Sequence, residues 1–309
     1  MFANMKRSHS DNQSINAEDL IESTAKKQKK EEVNKEEKKM NFFQSYDNQG
    51  FSIVCEDDYK GEKTIALKYE AYNANVTTAA MTVKFSDVGP NGNLGTKFVP
   101  ENAHSQAKFV MTLERGADSK VLSVMPTIET DQDAYFQWLK ETAKKMMSMA
   151  WDEQIPMFAS QYKKCKAAAK KEAKADSSIN VDTRAKELFM EGASLPIKEH
   201  FDEDGDSVLV NKVARRYQYT DRKTGQPIIN RPEFWKRNRD GGYDNVTEKV
   251  KFLNKGSVVI TQISFRLYSM TSYYGVSTDL GKNIIIVWEK PSSANSKPKD
   301  SVPEVPYFD

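Results

Sequence analysis

The amino-acid sequence predicts a mainly β protein with inserted helices, folded as one mixed-sheet or barrel domain. Short, partly alternating runs rich in β-branched and aromatic residues fill the early part of the chain and return at Ser207. Between these two sets, apolar residues recur at helical spacing. The order of strands, helices and strands predicts one domain over 42–290 with a helical insertion at about 131–175, between an arm at 1–41 and a tail at 291–309.

The early strands are expected between Phe42 and about Thr127, in KTIALKYEAY, TTAAMTVKF, AKFVMTLERG and KVLSVMPTI. The late strands are stronger, since DSVLVNKVARRYQYTD, GSVVITQISFRLYSM and GKNIIIVWEK are longer runs. In the second of these late runs, Val259, Ile263 and Phe265 share one face. That alternation predicts a sheet with one side against the core.

The helical insertion begins with Thr130 and Asp131 as cap candidates. Pro156 then interrupts the first helix, because proline lacks the backbone donor that a helix needs. A second helical run has a lysine-rich end, which we expect to project into solvent. The residues at helical spacing in the first helix are Phe136, Leu139, Ala143, Met146 and Ala150.

Composition excludes several classes of protein. The 309 residues carry a net charge of only +2, so a basic surface must be a local patch. Cys55 and Cys165 are the two cysteines, too few for a disulfide framework or a zinc site. The longest apolar run, Ile284 to Trp288, is too short to cross a bilayer. These features predict an intracellular protein with no membrane segment.

Signals for catalysis are few. The histidines are His9, His104 and His200, and the chain has no nucleophile elbow, HExxH or phosphate-loop motif. GPNGNLG lacks the Lys-Ser/Thr pair of a phosphate loop, and DEDGD at Asp202–Asp206 departs from an EF-hand at positions 207 and 213. The sequence therefore predicts no catalytic residue, metal or cofactor. A metal-dependent nucleic-acid enzyme with an unrecognised carboxylate site stays open as an alternative.

Signals for binding are stronger. Eight basic residues lie between Arg215 and Arg239, opposed only by Asp221 and Glu233, with aromatic residues interleaved. Cations can follow the phosphates of a single-stranded nucleic acid while aromatic faces stack on its bases. The predicted phosphate-binding residues are Arg215, Arg216, Arg222, Lys223, Arg237, Arg239 and Arg266, and the predicted stacking residues are Tyr217, Tyr219, Trp235 and Tyr268.

Each aromatic residue also has a structural explanation. Aromatic residues in β proteins are usually part of the core, and for Tyr217 and Tyr219 the two explanations are equally good. If these two tyrosines belong to one strand, they share a face. Phe234 and Trp235 are adjacent, so a strand sends them to opposite sides, and we expect Trp235 to be the exposed one.

Both ends of the chain carry separate signals. The cluster Lys26–Lys30 fits either a nuclear-import signal or a solvated charge run. The tail is acidic and ends in aromatic residues, which suits a docking peptide, a competitor for a basic groove or an inert solubilising segment. The predicted partner-docking residues of the tail are Asp300, Glu304, Tyr307, Phe308 and Asp309.

Two segments carry a resemblance to a known group of proteins. GSVVITQISFRLYSMTSYYGVSTDLGKNIIIVWEK is a strand ending in an aromatic, an aromatic-glycine crossover and a second strand ending in an acid. AKFVMTLERGADSKVLSVMPTIETDQDAYFQWLKE is a strand passing into a helix. Over about residues 60–290 the layout resembles the OB-fold single-stranded DNA-binding proteins of phage replisomes, particularly the short-tailed phage type, and of large DNA viruses.

The resemblance implies an OB-fold-like barrel and non-catalytic, sequence-tolerant binding of single-stranded DNA in viral replication, recombination or repair. It also implies replication proteins docking on the tail. RNA as the ligand, a homo-oligomer, and a location in the host nucleus or at a cytoplasmic replication site are open. A structural or scaffolding virion protein is the main alternative function.

Overall fold

The computed structural model describes residues 44–58, 60–70, 72–89, 107–201, 205–221, 224–250 and 253–291. Within these residues the chain forms sixteen strands, most of them in one large sheet. The strands are β1 Gln44–Ser45, β2 Phe51–Asp57, β3 Lys63–Tyr69, β4 Tyr72–Asn73, β5 Val76–Thr77, β6 Met81–Ser86, β7 Lys108–Glu114, β8 Ala193–Ser194, β9 Ile197–Phe201, β10 Ser207–Arg216, β11 Gln218–Thr220, β12 Pro227–Ile229, β13 Glu233–Arg237, β14 Tyr243–Asn245, β15 Val258–Ser269 and β16 Tyr274–Trp288.

Five strands of the large sheet close into a ring. β6 pairs with β7, β7 with β10, β10 with β16, β16 with β15, and β15 returns to β6. In chain order the ring therefore reads first, second, third, fifth, fourth. All of these pairs are antiparallel except β10 with β16, which is parallel. A closed five-stranded barrel of this kind is the architecture of the OB-fold.

The interior of the barrel is filled by alternate residues of its strands. Phe109, Met111 and Leu113 of β7 are fully buried, and so are Val213 of β10 and Ile284 of β16. Removing this apolar surface from water is the main stabilising contribution, on the order of 1.5–3 kcal/mol for each large side chain. The residues between them necessarily point to the outside.

Four α-helices lie between the second and third barrel strands. A short 3-10 turn, Pro156–Phe158, separates the second of them from the third. The long helix α2 contributes Tyr135 to the barrel core, where its hydroxyl lies 3.4 Å from the amide oxygen of Asn211 on β10. Farther along, α2 packs with the next two helices around Phe189 and Tyr274. The helices are α1 Ser119–Leu122, α2 Ile128–Asp152, α3 Ala159–Ala175 and α4 Val181–Gly192.

The predicted fold class is confirmed: the chain is mainly β, with helices inserted between an early and a late set of strands and an OB-like barrel. The apolar residues at helical spacing in α2 are all buried. Thr130 and Asp131, expected to cap this helix, instead lie inside its first turn, because the helix begins at Ile128. The helices also continue to Gly192, beyond residue 175.

The arm at 1–41, including Lys26–Lys30, lies outside the described residues. The tail from residue 292 to residue 309 also lies outside the described residues. Among the described residues, no helix is both long enough and apolar enough to cross a membrane.

Candidate nucleic-acid interface

Three exposed basic side chains lie on the outward side of the second and third barrel strands. On β7 and β10 the buried residues alternate with exposed ones, and Lys108, Lys212 and Arg216 are exposed. Arg216 lies directly opposite Lys108 in the antiparallel register. This side of an OB barrel is the one on which such folds bind oligonucleotides or oligosaccharides.

The neighbouring strands continue this surface. Asp279 of β16 pairs with Ala214 of β10 on one side and with Ser264 of β15 on the other. Two residues from Ser264, Arg266 points to the same side and is exposed. We call the set Lys108, Lys212, Arg216 and Arg266, with Asp279 among them, the outer basic face.

Asp279 is the acid at the centre of the outer basic face. Its Oδ1 accepts a hydrogen bond from Nη2 of Arg266 at 2.9 Å. Partial burial raises the pKa of the Asp279 carboxyl above its usual value, and the charges of Arg266, Arg216 and Lys108 offset part of that rise. Four cations against one carboxylate leave the face three charges positive, which suits a polyanion.

A hairpin formed by β11 and β12 follows the end of β10. Tyr219 lies opposite Ile228 in this hairpin, and its side chain is 48% exposed. Ile229 is also exposed, so the hairpin presents an apolar surface beside the basic one. Arg222 and Lys223, predicted to bind phosphates, lie between β11 and β12 in the sequence and outside the described residues.

Trp235 lies on β13, which pairs in parallel with β16. Its neighbour Phe234 is fully buried in the core, whereas Trp235 is half-buried. The indole Nε1 donates a hydrogen bond to Oδ1 of Asn283 at 3.1 Å. Nδ2 of Asn283 in turn donates to Oε1 of Gln262 at 3.2 Å. Gln262 lies two residues before Ser264 on β15, which connects Trp235 to the outer basic face.

The turn between β15 and β16 carries a second aromatic group. Tyr268, at the end of β15, meets Tyr273 edge to face, with ring centroids 6.1 Å apart. Tyr268 is half-buried, and Tyr273 and Met270 are exposed. This turn joins the fourth and fifth barrel strands and borders the oligonucleotide-binding side of OB-folds.

Two predicted site residues have side chains that contact the rest of the protein instead of joining the outer basic face, and both are corrections. Tyr217 is only 5% exposed and stacks on Phe109, with 5.1 Å between the ring centroids, so its ring packs inside the core. Arg215 donates from Nε to the carbonyl of Asn230 at 2.9 Å and from Nη1 to that of Leu280 at 3.3 Å. Its burial lowers the pKa of its guanidinium, and its donors are committed to the protein.

Tyr217 and Tyr219 therefore do not share one face of a single strand. β10 ends at Arg216, and Tyr217 turns inward before the hairpin begins. Of the other predicted residues, Arg237 is half-buried on β13 and Arg239 is exposed in the turn after it. The predicted tail residues, Asp300, Glu304, Tyr307, Phe308 and Asp309, lie outside the described residues.

Three residues of the face were missed in the sequence. Lys108, Lys212 and Asp279 were not among the predicted site residues. Strand alternation could have found Lys212, since it lies between the buried Asn211 and Val213. The described residues contain no cluster of three or more His, Cys, Asp or Glu side chains arranged to hold a metal ion.

The barrel, its second-to-third-strand face and the flanking turn together define an OB-like protein with a basic outer surface. No family model matches the chain, and no curated protein sequence does. The solved structures similar to it include the single-stranded DNA-binding protein gp2.5 encoded by bacteriophage T7, with 15% identity and a TM-score of 0.39, covering 73% of this chain and 98% of that one.

The single-stranded DNA-binding protein from bacteriophage Enc34 is also similar, with 8% identity and a TM-score of 0.31, covering 80% of this chain and 96% of that one. A structure of the Enc34 protein in complex with single-stranded DNA has 9% identity and a TM-score of 0.32. It covers 78% of this chain and 98% of that one.

Proposed function

We propose that this chain binds single-stranded DNA without sequence preference and performs no catalysis. The observation that carries the proposal is the outer basic face, in which four cations from three barrel strands meet on the second-to-third-strand side of an OB-like barrel. Such a face attracts a phosphate backbone whatever the bases. Its location, away from the fully buried barrel core, leaves the side chains accessible to a strand.

Aromatic side chains beside the face supply the second requirement. Tyr219 on the hairpin and Tyr273 in the turn between β15 and β16 have exposed rings, and Tyr268 and Trp235 are half-buried next to the same surface. A base stacked on an aromatic ring contributes on the order of 1–3 kcal/mol, and every base has such a face. Binding through phosphates and stacking is tolerant of sequence for this reason.

The biological role is part of the same proposal. A protein that covers single strands serves replication, recombination or repair, in this case of a viral genome. The acidic and aromatic tail from Asp300 to Asp309 would dock replication proteins. An intracellular site of action follows from this role, in the host nucleus or at a cytoplasmic replication site.

The test is a fluorescence-anisotropy titration of labelled oligo-dT, with duplex of equal length as competitor, at two salt concentrations. We expect tight binding to the single strand that weakens as salt rises, because counterions compete for the cations. The triple variant Lys108→Gln, Arg216→Gln, Arg266→Gln should lose most of this affinity. A matched variant, Lys120→Gln, Lys140→Gln, Lys144→Gln, removes three exposed lysines of the helices and should bind normally.

Absence of binding by the wild-type protein at low salt would overturn the proposal and favour a structural virion protein. Cleavage or turnover of the oligonucleotide on addition of a divalent metal would favour the enzyme instead. Deleting Asp300–Asp309 tests the tail. Loss of a replication partner with intact DNA binding supports docking, and tighter DNA binding shows that the tail competes for the face.

A further inference from the structure

Helix α3 carries lysines along one side only. Lys163, Lys170 and Lys174 follow helical spacing, and the side chains of all six lysines of the helix are exposed. At 3.6 residues per turn they fall within an arc of about 160°. The opposite side packs inward through Tyr162 and Ala169. The six are Lys163, Lys164, Lys166, Lys170, Lys171 and Lys174, which we call the α3 lysine face.

The protein itself does little to neutralise this charge. Glu172, the one acid in α3, pairs across to Arg184 of α4 at 2.8 Å. Lys166 lies over the ring of Trp151, with its Nζ 5.9 Å from the centroid. The side chains of the other five lysines form no hydrogen bond or ion pair with the described part of the chain. Like charges four residues apart on a helix repel each other, so the lysine face destabilises the isolated helix.

The position of α3 connects its lysines to the barrel. Gln161, in the first turn of the helix, is buried, and its Nε2 donates to Oγ of Ser269 at 3.1 Å and to the carbonyl oxygen of Met270 at 3.2 Å. Ser269 ends β15, and Met270 begins the turn that holds Tyr273. The first turn of α3 therefore lies beside the turn that borders the outer basic face, and the α3 lysine face begins two residues farther along the helix, at Lys163.

We propose that the α3 lysine face extends the path of single-stranded DNA beyond the barrel. This inference rests on the proposed function. A strand leaving the outer basic face passes Tyr268 and Tyr273 and then lays its phosphates along α3. The helix has 17 residues and is about 25 Å long, which is room for several phosphates.

The chemistry of α3 predicts what this extension contributes. Apart from the lysines, its outward positions include Ala167 and Ala168, which offer no ring on which a base could stack. The contribution is therefore electrostatic: it depends on salt and on the length of the oligonucleotide, and it does not depend on the bases. An oligonucleotide too short to extend beyond the barrel should bind with the same affinity whether or not the α3 lysines are present. OB-folds occupy about 4–16 nucleotides each, so dT8 and dT30 separate the two cases.

The experiment compares two variants of the full chain that lose the same charge. The first is Lys163→Gln, Lys170→Gln, Lys171→Gln, Lys174→Gln, and glutamine keeps the helix because its propensity is close to that of lysine. The control is Lys120→Gln, Lys140→Gln, Lys144→Gln, Lys249→Gln, four exposed lysines of other elements. Circular dichroism checks that both variants fold. Anisotropy titrations with dT8 and dT30 are repeated over a range of salt concentrations.

We expect the α3 variant to bind dT30 at least about tenfold more weakly, with a salt slope lower by roughly 1.4–2.8, as two to four lost phosphate contacts require. Its binding of dT8 should stay within about twofold of wild type, since α3 adds only the phosphates beyond the barrel. The control should match wild type with both strands.

Normal dT30 binding by the α3 variant, with dT8 binding also intact, would overturn this inference and leave the proposed function standing. Failure of the wild type to bind either oligonucleotide would overturn both this inference and the proposed function. The variants are also tested on vesicles containing phosphatidylserine. If the α3 variant loses vesicle binding while dT30 binding is unchanged, the lysine face serves a lipid surface and the inference is wrong.

Discussion

Nη2 of Arg266 lies 2.9 Å from Oδ1 of Asp279, across the antiparallel pair of β15 and β16. The pair sits on the outer basic face, where Arg216 and Lys108 also lie close enough for their charge to act on the carboxylate. Asp279 therefore pairs with Arg266 and partly offsets the charge of the other cations. Under the proposed function, the phosphates of a strand would compete with this carboxylate, so Asp279 should lower the affinity for DNA.

Asp279→Asn should tighten the binding of single-stranded DNA at neutral pH. The change removes one negative charge from the path of the phosphates and releases Arg266 to contact them. We expect about fivefold tighter binding, roughly 1 kcal/mol, the size of one charge interaction near a surface. Oligo-dT anisotropy measures it, with Asp152→Asn, which removes a carboxylate paired with Lys186 on the helices, as control. Unchanged or weaker binding in Asp279→Asn would contradict the competition.

The same residue predicts a pH dependence. Burial raises the pKa of Asp279, so as the pH falls towards that pKa this carboxyl takes up a proton before ordinary surface carboxyls do. Wild-type binding should therefore tighten on acidification more than binding by Asp279→Asn. Because the folded pKa lies above the unfolded one, the associated stability is present below the unfolded pKa and is lost as pH rises through the folded pKa. Binding curves and thermal melts of the wild type and of Asp279→Asn, measured across pH, test the predicted direction of the change in affinity and of the change in stability.

Tyr217 and Tyr219 should give opposite results when each is replaced by alanine. Tyr217→Ala removes a core ring and should lower the free energy of unfolding by roughly 3–5 kcal/mol. Tyr219→Ala should hardly change stability but should weaken oligonucleotide binding by about 1–3 kcal/mol. Urea titration and anisotropy measure the two quantities separately. A stable Tyr217→Ala protein with impaired binding would restore Tyr217 to the site.

Arg215→Ala should behave as a structural change. It leaves the carbonyl groups of Asn230 and Leu280 without their donor, at a cost of about 1–3 kcal/mol in the free energy of unfolding. The salt slope of DNA binding, measured below the melting temperature, should stay at the wild-type value. Arg216→Ala is the matched comparison and should lower that slope by about 0.7, as one lost phosphate contact requires. A lower slope in Arg215→Ala would show that its guanidinium reaches a phosphate.

Gly275 should be irreplaceable where β16 meets β8. Its φ of +152° disfavours an L side chain, and a Cβ would lie 2.0 Å from the carbonyl oxygen of Ser194. Gly275→Ala should destabilise the protein by roughly 3 kcal/mol or more, through strain and displacement of backbone. Gly61→Ala, with φ of +77° and open space around it, should cost only about 1 kcal/mol. Similar melting temperatures for the two variants would count against the close contact at Ser194.

Local patterns in the sequence predicted the parts of the fold that depend on near neighbours. The burial of Phe136, Leu139 and Ala143 in α2 follows from a period of 3.6 residues, which needs no knowledge of the rest of the chain. The alternation in the run from Gly256 to Met270 likewise predicted a strand with one buried side. Closure of the five strands into a ring could not be predicted from local patterns, because it depends on which distant strands pair.

The candidate site was harder to predict for the same reason. Tyr217 is buried because β7, far earlier in the chain, places Phe109 against it. Lys108 becomes part of a basic surface only when the register sets it opposite Arg216. The sequence indicated a basic and aromatic region, but pairing between strands decides which of its residues face outward.

The last barrel strand also governs how the chain can be made. β16 pairs with β8, β10, β13 and β15, so none of these strands has its full set of neighbours until Trp288 has left the ribosome. Until then the nascent chain carries open strand edges, which favour aggregation. Pairings this distant in sequence are also slow to form. Synthesis should therefore depend on chaperones that shield the early strands, and messages truncated before β16 should yield insoluble product.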